Sequence, residues 1–345
     1  MIGLSLEGGG AKGSYQAGAY LALRRCHIKV DAVVGTSIGA LNASLIAAGD
    51  YKKMINLWKD VSMNEIIGID EEAAFEIIKN PLKFKNIKKS FKEMYKIFKE
   101  GGLDISPYRA LIRNNVNEEK IRKSHMIYGL TTLRLDNLKP LELFIEDIPH
   151  NQLHDYIVAS SYLPIFKKQK MIDNSYYIDG GFYNLSPTDM LEKIGCSTIY
   201  NINIKGIGFK KPKIKKRANI IEIKPKDNLG SIVVFNKESI SNNMKRGYYD
   251  TLKVLEKIDG NNYYFYKKKE NFYNKLIKKW DKKTLNDVKD FFKVKTNKQA
   301  IIYSLEYILE KEGMSDLSLY KVKKLIRKFK KIKKEDKIYK YIKSL

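Results

Sequence analysis

Short apolar runs alternate with glycine-rich loops and helix-length stretches at the start of the chain. Residues 1–6 and Val30–Val34 are apolar runs of strand length, and Ser14–Arg25 carries apolar residues at helical spacing. The small, apolar stretch Ala40–Ala48 predicts a helix that packs closely on a sheet. Strand, glycine loop, helix, strand, tight turn and helix, in this order, predict an α/β fold with a parallel sheet.

The rest of the sequence predicts further helices and strands, followed by a C-terminal region of different composition. Residues 51–102 predict mostly helix, and beyond about Lys257 the chain is helical, Lys-rich and free of glycine motifs. We therefore predict two regions, 1–255 and 256–345. Other predicted elements are strands at His125–Leu135 and Leu141–Ile145, a helix at Asn151–Ser161 ended by Pro164, and strands at Tyr176–Ile178 and Thr198–Ile204.

Composition narrows the class of protein. Of the 345 residues, 43% are apolar, which excludes a largely disordered chain. The two cysteines, Cys26 and Cys196, cannot form a disulfide framework, so a reducing compartment is the simplest interpretation. No apolar run reaches the roughly 18 residues of a membrane span, and the first residues lack the layout of a secretion signal. We expect a soluble, cytoplasmic protein.

The net charge of +26 predicts attraction to anions such as nucleic acid, acidic lipid head groups or acidic substrates. The excess of Lys over Arg equally fits the codon usage of an AT-rich genome. Two segments combine lysines with apolar residues at helical spacing, 79–100 and Tyr320–Leu345. Each is either a helix lying on an anionic membrane, the inner membrane surface in this setting, or a helix with solvated lysines.

The first glycine motif is Gly8-x-Gly10-x-x-Gly13, between a predicted strand and a helix. A dinucleotide-binding domain would also need an acidic residue after the second strand, and none is there. The spacing around Lys12 does not fit a phosphate-binding P-loop. Consecutive glycines can instead direct backbone N–H groups into one anion-binding cavity, so Gly8, Gly9 and Gly10 are candidate oxyanion donors. Lys12 would add charge there or be solvated.

The second motif is Gly35-x-Ser37-x-Gly39, between an apolar strand and a small-residue helix. This context is that of a nucleophile elbow, in which a sharp turn exposes a serine hydroxyl and the flanking glycines avoid Cβ clashes. The following helix directs its positive end towards the developing negative charge. A simple tight turn is the alternative.

A base for Ser37 must come from elsewhere. The four histidines, His27, His125, His150 and His154, all precede Asp179 and do not fit a Ser-acid-His order. Asp179 ends a short predicted strand, and Gly180 and Gly181 after it permit another loop to approach. Asp179 is therefore the better candidate.

Together, Gly8–Gly13, Gly35–Gly39 and Asp179–Gly181 resemble, in order and spacing, the three motifs of the patatin-like phospholipases. The segment Ala159–Phe166 resembles the stretch that precedes the family's aspartate. The resemblance covers roughly residues 1–255. It implies a three-layer α/β/α fold in which this region is the lipid acyl hydrolase domain.

The resemblance also implies a Ser37–Asp179 dyad, an oxyanion hole formed by the glycine loop, and no metal or other cofactor. The sequence departs from the family pattern at two places. Lys12 stands where the family commonly has Arg, and Asn184-Leu185-Ser186 stands where the family has Asp-Asn before the proline. Neither departure affects the dyad.

Other functions use the same residues. A general carboxylesterase, thioesterase or acyltransferase would share the dyad but take other substrates. A basic nucleic-acid-binding or membrane-binding protein with a vestigial serine site is the more distant alternative, and the sequence contains no recognisable nucleic-acid motif.

Overall fold

The computed structural model describes residues 1–62, 66, 101–211, 218–233, 235–334 and 336–345. The chain forms two compact units, Met1–Tyr248 and Tyr249–Leu345. The predicted regions were divided after residue 255, a few residues further along. The first lysine-rich segment, 79–100, lies outside the described residues.

The first unit contains a seven-stranded sheet. Its strands are β1 (Ile2–Leu6), β2 (Ala32–Thr36), β3 (Ile127–Arg134), β4 (Lys139–Phe144), β5 (Tyr177–Asp179), β6 (Thr198–Ile202) and β7 (Asn219–Ile223). The strand order is β4-β3-β2-β1-β6-β7, and β5 also pairs with β3. The pairs from β3 through β2, β1 and β6 to β7 are parallel, whereas β4 and β5 run antiparallel to β3. The predicted mainly parallel sheet is confirmed.

Helices cover both faces of this sheet. They are α1 (Gly13–Arg25), α2 (Ile38–Ala47), α3 (Tyr51–Asp60), α4 (Ser106–Asn115), α5 (Glu118–Arg122), α6 (Leu153–Ser160), α7 (Thr188–Lys193) and α8 (Lys237–Val254), which crosses the unit boundary. Side chains alternate between the faces of a strand. Ala32 and Val34 of β2 therefore pack with Met190 and Leu191 of α7. On the other face, the Tyr128 hydroxyl donates to the Ala40 carbonyl of α2 at 3.2 Å. This is the expected three-layer α/β/α arrangement.

The second unit is built around a buried helix. Its elements are β8 (Ile258–Asp259), β9 (Tyr264–Tyr266), α9 (Glu270–Leu276), α10 (Lys282–Phe292), α11 (Asn297–Lys311), β10 (Leu319–Tyr320), α12 (Val322–Phe329) and α13 (Lys337–Ser344). Residues of α11 such as Ile301, Leu305 and Leu309 are fully buried in its core. The predicted helical C-terminal region is confirmed, and it also contains a small sheet formed by β10, β9 and β8. Strands of two or three residues are too short to show an alternating pattern.

The apolar residues of the C-terminal lysine-rich segment belong to this core. Leu325, Ile326 and Phe329 on α12 and Ile338 and Ile342 on α13 are buried. The apolar face of the segment is therefore covered by the protein itself, and contact of its lysines with acidic lipid stays a prediction. Among the helices that the structure describes, none has the length and apolar content needed to cross a bilayer.

Candidate active site

The register of the sheet brings the ends of β2 and β5 together. β2 pairs with β3 as far as Thr36 opposite Thr131. Because β4 occupies the other edge of β3, β5 continues along the edge that β2 leaves, with Asp179 opposite Thr132. Ser37 directly follows Thr36, so Ser37 and Asp179 lie beside adjacent positions of β3. The Ser37 side chain lies close enough to the Asp179 carboxylate to affect its pKa.

Ser37 occupies a sharp turn between β2 and α2. Its φ of 57° and ψ of −127° lie in a region that costs a non-glycine residue about 1–3 kcal/mol. The turn is held because the Ser37 N–H donates to Ser160 Oγ at 2.9 Å. A Cβ on Gly35 would lie 2.2 Å from the Gly39 carbonyl oxygen, and one on Gly39 would lie 2.3 Å from that of Leu6. Glycine is therefore required on both sides of the serine.

Asp179 is only 4% exposed, and burial raises its pKa from 3.8 to about 6. The adjacent Ser37 side chain and the Gly181 N–H, which donates to the carboxylate at 2.7 Å, lower this pKa by stabilising the ionised form. Gly180 lets this turn contact β3, because a Cβ there would lie 2.3 Å from the Thr131 carbonyl oxygen. The carboxylate is thus mostly ionised at neutral pH, yet more basic than an exposed one.

The glycine loop contributes fewer free amides than predicted. The Gly8 N–H donates to the Leu185 carbonyl at 3.1 Å, so it is not available to an oxyanion. Within the described residues, the N–H groups of Gly9 and Gly10 have no acceptor. Gly10 has a φ of +55°, and a Cβ there would lie 1.9 Å from the Ile232 carbonyl oxygen. Gly9 and Gly10 are therefore the remaining candidate donors.

Lys12 and Gly13 support the loop from outside the reacting centre. Lys12 is buried, not solvated, and its ammonium donates to the Lys205 carbonyl at 3.0 Å. Burial lowers the Lys12 pKa. Gly13 begins α1, where a Cβ would lie 2.7 Å from the ring of Trp58. The alternative of a solvated Lys12 was wrong, and its contribution of charge to the anion cavity stays a prediction.

An apolar pocket with about 470 Å³ of empty space adjoins Ser37. The Tyr108 hydroxyl and Ser161 Oγ lie 3.0 Å apart in its wall, and burial chiefly raises the Tyr108 pKa. None of the described residues that line it is a histidine. Apolar side chains form most of the rest, including those of Ile38, Leu163, Ile165, Phe166 and Phe235.

Comparison with known proteins places this arrangement in a family. The model of the patatin-like phospholipases matches residues 4–192, more than half of the chain. The chain belongs to the patatin-like phospholipase family. The match contains Ser37, Asp179 and the glycine loop, and it confirms the resemblance stated from the three motifs. No curated protein sequence is similar enough to this chain to count as a match.

Two solved structures are similar to this patatin-like protein over 99% of its chain. VipD from Legionella pneumophila is 14% identical, with 83% of that chain covered and a TM-score of 0.46. The type III effector protein ExoU is 12% identical, with 70% of that chain covered and a TM-score of 0.37.

The segment Asn184-Leu185-Ser186, where the sequence departs from the patatin-like pattern, has a structural role through its backbone carbonyls. The Asn184 carbonyl accepts the Thr36 hydroxyl at 2.8 Å, next to the catalytic turn. Leu185 joins this segment to the glycine loop through the bond from Gly8. The segment therefore fixes the two loops on either side of Ser37.

Sequence reasoning missed Ser160 and the Tyr108–Ser161 pair. Ser160 and Ser161 lie in the stretch recognised as similar to the family, but their spacing from Ser37 gives no sign of contact. Tyr108 follows Pro107 near the start of α4 and looks like an ordinary core residue. Only the packing of α4 and α6 beside the pocket reveals them.

Proposed function

We propose that this patatin-like hydrolase cleaves fatty-acyl esters of phospholipids or lysophospholipids through a Ser37–Asp179 dyad. The family makes it a lipid-ester hydrolase. The observation that supports the finer proposal is the buried Asp179 carboxylate beside Ser37, which itself lines an apolar pocket. The family motifs on the same residues support it further.

In the first half of the reaction, Ser37 Oγ attacks the ester carbonyl carbon while its proton moves to Asp179. The carbonyl oxygen becomes an oxyanion, for which Gly9 and Gly10 supply N–H donors and α2 its positive end. The ester C–O bond then breaks, and the leaving alcohol takes the proton from Asp179. An acyl-serine remains on Ser37.

In the second half, a water molecule attacks the acyl carbon and Asp179 accepts its proton. The acyl C–O bond to Ser37 breaks, Oγ regains the proton from Asp179, and the fatty acid leaves. Positioned proton transfer of this kind contributes about 10²–10⁴-fold to rate. The raised pKa of Asp179 suits this exchange because the group must both accept and return a proton near neutral pH.

The pocket supports an acyl chain as the group bound beside the serine. The pocket lies beside Ser37 and its lining is mostly apolar, as binding of an acyl chain requires. The head group and the ester position that is cleaved are left to product analysis, which separates phospholipase A from lysophospholipase activity.

The test is labelling by a fluorophosphonate with mapping of the labelled residue, followed by lipid product analysis. Label on Ser37 and release of fatty acid from phosphatidylcholine vesicles are expected. Asp179→Asn should lower turnover by about 10³–10⁴-fold, the upper part of the range for lost acid–base catalysis. Ser37→Ala removes the nucleophile and should lower turnover by at least as much. Ser44→Ala, a buried serine on α2 whose hydroxyl bonds the Leu41 carbonyl, is the matched control.

Other outcomes would reassign the site. Turnover of short soluble esters without any activity on vesicles would indicate a general esterase or thioesterase, and acyl transfer to an added alcohol an acyltransferase. Full activity of Ser37→Ala would refute the dyad. Salt-sensitive DNA binding without labelling of Ser37 would indicate a nucleic-acid-binding protein with a vestigial site.

We further propose that the enzyme works in the cytoplasm, against the inner membrane surface. Its free cysteines, Cys26 and Cys196, support a reducing compartment. The strongly positive net charge supports contact with acidic head groups.

A further inference from the structure

A groove on the second unit collects positive charge. It is lined by Lys321, Lys324, Arg327, Lys328 and Lys331, which we call the groove cations, and contains about 1,210 Å³ of empty space. All five are exposed. Lys324 and Lys328 lie one helical turn apart on α12, with Arg327 beside Lys324 on the same side of the helix. The groove therefore presents a row of cations.

These cations differ from others of the same unit in having no acidic partner. Lys298 lies 2.5 Å from Asp259, and Lys337 lies 3.0 Å from Asp287. In contrast, none of the groove cations is within 4 Å of a carboxylate among the described residues. No described residue lining the groove is acidic.

Two neighbouring carboxylates do not neutralise the row. Glu312 interacts with Lys328 through space, but it is bound to Lys334 at 2.7 Å, which is the main reason that its pKa is low. Asp316 lies near Tyr320 and adds, after burial, to the raised pKa of that phenol. The row keeps an excess of positive charge that needs an anionic partner.

The floor of the groove is apolar and partly exposed. It includes Met314 and Leu319, which are half-buried, and Tyr266, which is 45% exposed. Lys328 Nζ lies 3.5 Å from Met314 Sδ, so charged and apolar groups are in direct contact. A cationic rim above an apolar floor matches a ligand with a phosphate attached to a less polar body.

The aromatic rings of the groove are not arranged for nucleic acid. The Tyr320 ring packs against Tyr263 and Phe265 at centroid distances of 6.3 and 6.2 Å. The ammonium of Lys321 lies over the Tyr266 ring at 5.6 Å. Binding of single-stranded nucleic acid relies on open ring faces on which bases stack, and these two rings already have partners.

We propose that the groove binds the phosphate groups of anionic phospholipids and so holds the second unit on a membrane surface. The apolar face of α12 is buried in the core, so the contact is made by the groove cations and the exposed floor, without insertion of the helix. The choice of a lipid over other phosphate carriers rests on the proposed function. The binding itself does not depend on hydrolysis.

The test is sedimentation of the full chain carrying Ser37→Ala with two kinds of vesicle. One kind is phosphatidylcholine alone, and the other contains equal parts of phosphatidylcholine and phosphatidylglycerol. Binding to the second kind alone is expected. Lys324→Gln with Lys328→Gln should weaken it about 25-fold, since each basic residue near an anionic surface contributes about 1 kcal/mol, or about fivefold.

The matched control is Lys278→Gln with Lys279→Gln, two exposed cations of the same unit outside the groove. It removes the same charge and should retain most of the binding. Equal losses in the two double variants would show diffuse attraction and overturn the groove. Thermal unfolding of each variant checks that the unit remains folded.

Competition identifies the source of the phosphate. Dissociation from vesicles by millimolar pyrophosphate, or tighter binding of single-stranded DNA than of anionic vesicles, would overturn the lipid assignment. Absence of vesicle binding by the Ser37→Ala chain would overturn the proposal outright. Because that chain has no nucleophile, none of these results depends on whether the wild-type enzyme hydrolyses lipid.

Discussion

Replacing Asp179 by asparagine should stabilise the protein at alkaline pH while removing its activity. Asparagine keeps the shape of the side chain, and its oxygen can still accept the Gly181 N–H. What it removes is a carboxylate buried to 4% exposure. Ionising that carboxyl group in the folded state lowers the stability of the wild-type protein, whereas the variant has no group to ionise.

The size of the effect follows from the pKa. Burial raises the Asp179 pKa from 3.8 to about 6. Such an acid favours folding below its unfolded pKa, where it is protonated in both states, and this contribution is lost as the pH rises through about 6. At about 1.36 kcal/mol per pH unit, the loss is about 3 kcal/mol at pH of about 8. At a pH of about 4.5, the same linkage gives a smaller loss of folding free energy, about 1 kcal/mol.

Urea unfolding of both proteins at these two pH values measures the difference. We expect the asparagine variant to gain about 2 kcal/mol more at the higher pH than at the lower one. Asp173→Asn is the control, because Asp173 is 65% exposed and has a φ of 51° that asparagine also tolerates. It loses only an exposed pair with Arg134, so its effect should be small at both values. A gain at Asp179 that does not grow with pH would refute the reasoning.

Three further predictions concern the reaction and its site. The kcat/KM for a soluble ester should fall about tenfold per pH unit below a pH of about 6, because Asp179 must be ionised to accept the Ser37 proton. A kcat/KM that is unchanged down to a pH of about 5 would exclude Asp179 as the base. Gly39→Ala should destabilise the protein by at least about 1–3 kcal/mol in urea unfolding, since the new Cβ would lie 2.3 Å from the Leu6 carbonyl oxygen. Stability and activity equal to those of Ser44→Ala would contradict the close approach of Gly39 to Leu6. Leu163→Trp should fill the pocket and lower kcat/KM for long-chain esters about tenfold or more relative to acetate esters. If the ratio of these two kcat/KM values is unchanged, the acyl chain binds elsewhere.

The residues of the site were predictable where chemistry demands a particular backbone. Ser37 has a left-handed φ, and Gly35 and Gly39 on either side of it lie too close to other backbone atoms to carry a Cβ. Glycine is therefore needed at both positions, and this requirement is visible in the sequence. The alternation of short apolar runs with helices likewise revealed the parallel sheet. Local geometry of this kind leaves a trace in residue types that are close in the chain.

Features that depend on contacts between distant segments were not predictable. The bond from Gly8 to the Leu185 carbonyl, which removes one of three expected donors, joins loops far apart in sequence. Ser160 supports the Ser37 turn from another helix. The C-terminal lysine-rich segment was ambiguous because an amphipathic pattern does not say whether protein or membrane covers its apolar side.

The pairing of two strands with successive parts of one edge of β3 has a consequence for how this enzyme can change. The positions of Thr36 and Asp179 are set by their pairing with Thr131 and Thr132, neighbouring residues of β3. The connection from β4 to β5 carries Ser160, which holds the Ser37 turn, and the pocket residues Leu163 and Phe166. Changes at its pocket residues alter the pocket while the pairing of β5 with β3 is kept. Shifting β5 by one residue would instead turn its terminal carboxylate towards the opposite side of the sheet. The pocket can therefore diverge in this protein while the strand pairing that brings Ser37 and Asp179 together is kept.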